Sequence, residues 1–396
     1  MEVSTSPEEL FQPETLRLID ELEADSTPSD IVRTISRLRA AGHPQERIHH
    51  ALEQVRLRRK ARTKFGEFSA QMLFTEHGLE QATRLGVAAH HAGRFRAAGI
   101  NSVADVGCGI GADAMACASL GIRVLAVEKD PLTAAVASYN LSPFDNAQVL
   151  CGDGMSVDLS GWDGVWLDPA RREGASRLHD PSDYSPRLDD AIALAQMRPS
   201  GIKLAPGMDR DLIPDTVEAQ WVSDGGEVVE MVWWFGELKK EGVSRSALVI
   251  SESGAHTMEA PADSPDAEVA ELGQYLYEPD GAVIRARLIG DLVRSLQGGM
   301  LDPSIAYFSS ADYHPTPFAQ CFEVEQVLPA KIKELSRWAK EHEVGTLEIK
   351  KRGIDIDPAE LRRKLPLRGE SSKTLILTRV AGKKVAIATK RVGTRI

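Results

Sequence analysis

At 396 residues and 42% hydrophobic, the chain is long enough for two or three domains with real cores, and its four cysteines, with no Cys-x-x-Cys pair among them, argue against a disulfide framework or a structural zinc site. No apolar run approaches the roughly eighteen residues of a membrane helix, and the acidic start has no signal-peptide core, so a cytoplasmic protein is expected. The net charge of −11 conceals an asymmetry: residues 331 to 396 hold 18 Lys/Arg against 8 Asp/Glu, the remainder 29 against 50, a pattern that suits a polyanion gripped at one end.

Residues 1–64 read as a helical N-terminal module. Leu16, Ile19 and Leu22 recur at helical spacing in Pro13 to Glu23. Ser29 is placed to cap a second helix, Asp30 to Ala41, which Gly42 stops. Pro44 opens a third helix to about Thr63, whose end is strongly basic (Arg56, Arg58, Arg59, Lys60, Arg62, Lys64). Those cations suit phosphates, or simply complement a helix C-terminus.

Residues 65–258 read as an α/β domain. Leu73 to Thr83 precedes a helix, Val87 to Ala98, and then comes Val103-Ala-Asp-Val-Gly-Cys-Gly-Ile-Gly-Ala-Asp113. Here an apolar strand runs through Asp105 into Gly107, Gly109 and Gly111, and a small-residue helix follows. Alternate glycines permit a sharp turn and leave room for a ligand against bare backbone. The spacing differs from the Gly-x-Gly-x-x-Gly of dinucleotide enzymes. A second strand, Ile122 to Val127, ends in Glu128, placed to accept two ribose hydroxyls. A third, Ala147 to Leu150, leads to Cys151-Gly-Asp-Gly154, where Asp153 can hold an adenine amino group. A fourth, Gly164 to Leu167, ends in Asp168-Pro-Ala-Arg-Arg172. Four strands with such residues at their carboxyl ends follow the rule for ligand sites in open α/β sheets. Beyond them lie a helix (Arg187 to Met197), the strand Ile202 to Ala205, and an expected closing antiparallel pair, Val228 to Phe235 with Ala247 to Ser251.

This set of motifs resembles the class I S-adenosylmethionine-dependent methyltransferases, over roughly Phe65 to Gly254. The resemblance implies a Rossmann-like seven-stranded sheet with a reversed last strand. It places Gly107, Gly109 and Gly111 under the methionine part of S-adenosyl-L-methionine, with Asp105 supporting its amino group, Glu128 on the ribose and Asp153 on the adenine. By the same resemblance Thr75, Gln81 and Thr83 are candidates to close over the methionine end.

The fourth-strand motif bears on the acceptor. Asp-Pro-Pro-aromatic marks base nitrogens, but here Ala170 replaces the second proline and no aromatic follows. Asp168 is the candidate to orient the acceptor, and Arg171 to bind it by a forked contact to guanine or phosphate, or else to pair with Asp168. Pyrimidine C5 chemistry is disfavoured, because no cysteine lies between Asp168 and the linker. Lys64, Asp168, Lys203 and Glu230 stand in the order of a ribose 2′-O tetrad. Trp166, Trp233, Trp234 and Phe235 are candidates to stack a base, only one of Trp233 and Trp234 being expected to face the core. His77, His90 and His91 show no evident partner. No metal is expected.

Residues 259–267, rich in Pro, Asp and Ala, read as a linker. Residues 268–396 carry a helix from Ala282 to Leu296, Glu348-Ile-Lys-Lys-Arg-Gly353, a helix around Pro358 to Lys364, and strands Lys373 to Val380 and Lys384 to Thr389. This α+β pattern resembles the THUMP-like domain appended to a group of bacterial methyltransferases, which implies RNA only by analogy with true THUMP domains. The expectation is a methyltransferase acting on tRNA or rRNA, at a base nitrogen in preference to a ribose 2′-O. The alternatives are a small-molecule or protein acceptor, or a non-catalytic binding module of the same fold.

Overall fold

The computed structural model describes residues 7–24, 31–169, 172–173, 176–177 and 184–393. Ser29 and Arg171 lie outside them. The chain forms two units, Met1–Lys203 with Phe235–Leu238, and Leu204–Trp234 with Lys239–Ile396; the division falls inside the stretch 65–258.

In the first unit, β1 (Ser102–Val106), β2 (Arg123–Glu128), β3 (Ala147–Cys151), β4 (Gly164–Leu167) and β5 (Ser200–Leu204) pair in the order β3-β2-β1-β4-β5, all parallel. β1 and β4 are buried throughout, as expected of parallel strands covered on both faces. The chain builds outward from β1 through β2 and β3, then returns to β4 on its other side. That reversal opens a crevice beyond the carboxyl ends of β1 and β4.

The N-terminal helices pack within the first unit. Leu18, Ile19, Leu22, Ile48, Val55 and Phe65 share one hydrophobic core with Leu73, Phe74, Leu79, Ile110 and Val136. Most of the basic helix end is spent internally. Arg58 is buried and bonds Asp20, Glu23 and the Met72 carbonyl at 2.9 Å each, while Arg56 and Lys60 pair with Glu76.

The second unit holds two sheets. In one, β6 (Glu218–Asp224) lies between β7 (Glu227–Phe235), antiparallel to it, and β8 (Arg245–Ser251), parallel to it. β9 (Gly254–Ala260) flanks β8. The expected pairing of Val228 to Phe235 with Ala247 to Ser251 is therefore corrected: both flank β6, a strand the sequence reading passed over. Within this unit β7 runs against β6, as expected of a reversed strand. β9 also runs two residues into the stretch read as a linker.

The other sheet has seven strands: β10 (Tyr275–Pro279), β11 (Gly299–Asp302), β12 (Ile305–Ser310), β13 (Ala319–Pro329), β14 (Val344–Lys351), β15 (Ser371–Val380) and β16 (Lys383–Val392), ordered β11-β12-β10-β13-β16-β15-β14. Helices Ile332–Glu341 and Pro358–Lys364 contribute Leu335, Trp338 and Leu361 to the core on one side; Leu276, Tyr307, Phe322 and Ile387 share a second core. β14 and β10 are four strands apart, about 19 Å in a flat sheet, yet Lys350 on β14 bonds Glu278 on β10 at 2.6 Å. The sheet must therefore curl. The single helix expected from Ala282 to Leu296 is two, Gly281–Arg285 and Ile289–Ser295. Arg287 takes a left-handed φ of 59° and Leu288 N–H reaches back to the Val283 carbonyl (3.0 Å), the closing bond of a Schellman turn.

Candidate active site

The crevice at the ends of β1 and β4 is a cavity of about 810 Å³, within the usual size of a small-molecule site. Gly107, Gly109, Glu128, Asp153, Asp168 and Lys203 all line it, as do Thr75, His77, Gln81 and Thr83.

The glycine loop is tied down at both ends. Gly107 and Cys108 both donate to the Val127 carbonyl (2.9 and 3.0 Å). Gly107 has φ 83°, and a Cβ there would lie 2.9 Å from the Asp168 carbonyl oxygen; only glycine lets β1 turn this close to β4. Gly111 does not line the cavity. It adopts φ 90° as the first flank of helix Ala112–Ser119, and a Cβ there would meet Leu141 at 3.4 Å, so its service is to the packing of that helix.

Glu128 joins the loop to the end of β2: its Oε2 accepts from Gly109 N–H (3.0 Å) and its Oε1 from Asp130 N–H (2.9 Å). A carboxylate accepts about four bonds, so capacity for two hydroxyl donors remains. Asp153 Oδ1 accepts from Met155 N–H at 3.1 Å, capping a short helical turn.

Asp105, on β1, is 2% exposed, and neither carboxylate oxygen has a hydrogen-bond partner among the described residues. Burial, reinforced by the charges of Asp113, Asp168 and Glu128 against the opposing pull of Lys203, pushes its carboxyl well above the usual range. A buried acid without a partner is costly. It fits a cationic group arriving from outside the chain.

Beside it runs a continuous buried chain of polar contacts. Lys203, on β5, pairs with Asp168 and donates to Thr83 Oγ1 (2.9 Å). Thr83 donates to Asp113 Oδ2 (2.7 Å), whose Oδ1 lies 2.7 Å from His91 Nδ1. Burial works to raise the Asp113 carboxyl, but the bond from His91 and the charges of His91 and Lys203 hold it below the ordinary value. His91 thus has a partner, which the sequence did not disclose.

The segment facing the glycine loop is held from two sides. Gln54, on helix Gln45–Phe65, makes a two-way bond with the backbone of Phe74 (2.8 and 3.0 Å). Asn140 bonds Leu73 N–H, the Leu73 carbonyl and the Ile110 carbonyl (2.9, 3.1 and 3.0 Å). Thr75 caps the next helix, Glu76–Gln81, by accepting from Gly78 N–H (3.0 Å).

Other expectations are corrected. Lys64 does not join Asp168: its ammonium donates to the carbonyls of Leu79, Glu80 and Ala82 at 2.8 to 2.9 Å, closing the end of helix Glu76–Gln81. Burial, reinforced by the Lys203 charge, pulls that ammonium down to about 8. Glu230 is buried on β7 and does not line the cavity. Of the proposed tetrad, Asp168 and Lys203 meet. Trp166, Trp233, Trp234 and Phe235 are all core, at most 3% exposed, and none lines the cavity. Trp233 and Trp234 are both buried because β7 is covered on both faces. Among the described residues, no helix is long and apolar enough to cross a membrane.

The cavity fits S-adenosylmethionine in its lining, with glycine backbone on one wall, the acid that ends β2 and the acid that follows β3; Asp105 on β1 is buried and does not line it. The comparisons with known proteins agree. Residues 319–391 match the family model described as THUMP domain-like, and residues 5–61 match a domain of unknown function. The crystal structure of a Porphyromonas gingivalis W83 protein, provisionally classed as a methyltransferase, superposes with a TM-score of 0.74 at 21% identity, over 97% of this chain and all of that one. Two strains of Mycobacterium tuberculosis, CDC 1551 and H37Rv, each have a protein named as an uncharacterized S-adenosylmethionine-dependent methyltransferase. Each is 32% identical to this chain over 343 residues, 85% of this chain and 94% of the relative. The chain belongs to the S-adenosylmethionine-dependent methyltransferases, with a THUMP-like domain at its C-terminal end.

Proposed function

We propose that this methyltransferase acts in the cytoplasm on RNA, tRNA or rRNA, at a base nitrogen. The observation that carries the RNA reading is the THUMP-like domain coinciding with the basic segment, 18 Lys/Arg against 8 Asp/Glu from residue 331 onward. A base nitrogen is favoured over a ribose oxygen because the Lys64 ammonium is committed to three backbone carbonyls.

S-adenosylmethionine, when bound, supplies a methyl group on a sulfonium centre. Asp105 answers the cofactor's ammonium, Glu128 its ribose hydroxyls and Asp153 its adenine amino group, while Gly107 and Gly109 offer bare backbone. Asp168, at the end of β4, accepts a hydrogen bond from the acceptor's N–H and turns the nitrogen lone pair toward the methyl carbon. Arg171, three residues on, contributes a forked donor to the base edge or a phosphate. No strong acid or base is required; holding the two reactants in line supplies much of the rate.

Asp168→Ala is the test. S-adenosylhomocysteine affinity by calorimetry should stay within about threefold of wild type, and transfer of labelled methyl to RNA should fall by at least about a hundredfold. Equal loss of both would remove Asp168 from the acceptor role. Label transfer to a protein or small-molecule fraction, with none in RNA, would overturn the RNA reading.

A further inference from the structure

The buried contacts behind Asp168 carry an inference about Lys203. Its side chain is 7% exposed and its ammonium touches two groups that line the cavity, the Asp168 carboxylate and the Thr83 hydroxyl. The direction of each bond is fixed. Thr83 gives its one proton to Asp113 Oδ2 at 2.7 Å, so its oxygen can only accept from Lys203. Asp113 is in turn oriented by His91 Nδ1 at 2.7 Å, and His91 is itself buried, packed against Trp166 with ring centroids 4.3 Å apart. The result is a brace from core to cavity wall, with one link on each of four elements: helix Leu85–Ala97, helix Ala112–Ser119, the segment after helix Glu76–Gln81, and β5.

We propose that Lys203 is a positioning residue for methyl transfer: braced by Thr83, Asp113 and His91, its ammonium fixes the Asp168 carboxylate in the orientation that receives the acceptor. This rests on the reading of Asp168 given above. Lys203 acts through Asp168 and exchanges no proton with the acceptor. Misplacement of Asp168 by about 1 Å costs on the order of a hundredfold in rate.

Three variants test this: Lys203→Met, Lys203→Arg and Thr83→Val. In RNA labelling assays, Lys203→Met should lose on the order of a hundredfold in kcat with little change in KM, and the acid limb of its kcat/KM profile should move to higher pH as Asp168 loses its cation. Lys203→Arg should recover most of the loss and restore the profile; Thr83→Val should fall between. S-adenosylhomocysteine affinity should stay within about threefold in the two Lys203 variants. An unshifted pH profile in Lys203→Met, or no rescue by arginine, would overturn the proposal. If wild type labels no RNA, the acceptor reading fails, and crystal structures with S-adenosylhomocysteine then decide the positioning claim. Asp168 should leave its wild-type rotamer in Lys203→Met and keep it in Lys203→Arg. An unchanged Asp168 in Lys203→Met would refute the brace.

Discussion

The cavity at the end of β1 and the curled sheet of the THUMP-like domain both bring charges together beside apolar cores, and they handle those charges in opposite ways. In the curled sheet the charges are matched. Glu278 takes Lys350 at 2.6 Å and the Tyr307 hydroxyl at 3.2 Å, and Glu348 takes Arg391 at 3.1 Å and Thr374 at 3.0 Å. On β1, Asp105 is buried with no hydrogen-bond partner among the described residues. A satisfied network holds the fold in place; a buried acid without a hydrogen-bond partner calls for an explanation.

Variants can sharpen or break that contrast. The largest effect is expected from Asp105→Asn, which should weaken S-adenosylhomocysteine binding by on the order of a hundredfold, the worth of a charged hydrogen bond. It should also stabilise the cofactor-free protein by about 1 kcal/mol at pH 8, since a neutral amide is cheaper to bury than a carboxylate. The pH dependence follows. A carboxyl whose folded pKa is raised binds more protons folded than unfolded, so its contribution to stability is full below the unfolded pKa and is lost as pH rises through the folded one. The advantage of Asp105→Asn should therefore vanish toward pH 4, and melting curves of the two proteins across pH check it. A variant that loses stability at every pH would break the contrast.

Gly107→Ala comes next. The left-handed backbone costs about 1–2 kcal/mol for a residue with a Cβ, and that Cβ would meet the Asp168 carbonyl. Calorimetry should show cofactor binding reduced by at least about tenfold together with a lower melting point. Glu278→Gln, in the curled sheet, should lower stability by about 1 kcal/mol and leave cofactor affinity unchanged; altered affinity would contradict the division of roles. The smallest effect belongs to Lys383→Ala with Lys384→Ala, both exposed beside the β15–β16 turn. If they face RNA, the slope of log affinity against log salt should fall by about 1 to 2, with stability unaltered.

The cavity was more legible in the sequence than the brace behind it. Asp105, Gly107, Glu128, Asp153 and Asp168 each stand at a strand end, where local pattern and the topology of parallel sheets place functional groups. His91–Asp113 and Thr83–Lys203 join residues 22 and 120 positions apart, and nothing local marks them. The tryptophans misled for the opposite reason: alternation is a guide only where one sheet face meets water, and β7 is covered on both. β6 was passed over because Glu218, Gln220 and Ser223 break its apolar run, although all three are buried; Glu218 is satisfied by Ser246 at 2.6 Å, a cross-strand partner invisible in a linear reading. The helix at Ala282 was drawn too long because a left-handed arginine gives no compositional signal.

The most direct measurement is nucleoside mass spectrometry on RNA from a strain lacking this gene, after incubation with the purified protein and isotopically labelled S-adenosylmethionine. A single base nitrogen in tRNA or rRNA should carry the labelled methyl, and none should do so with Asp168→Ala. A ribose methyl, or no label in RNA from a protein that demonstrably binds the cofactor, would contradict it.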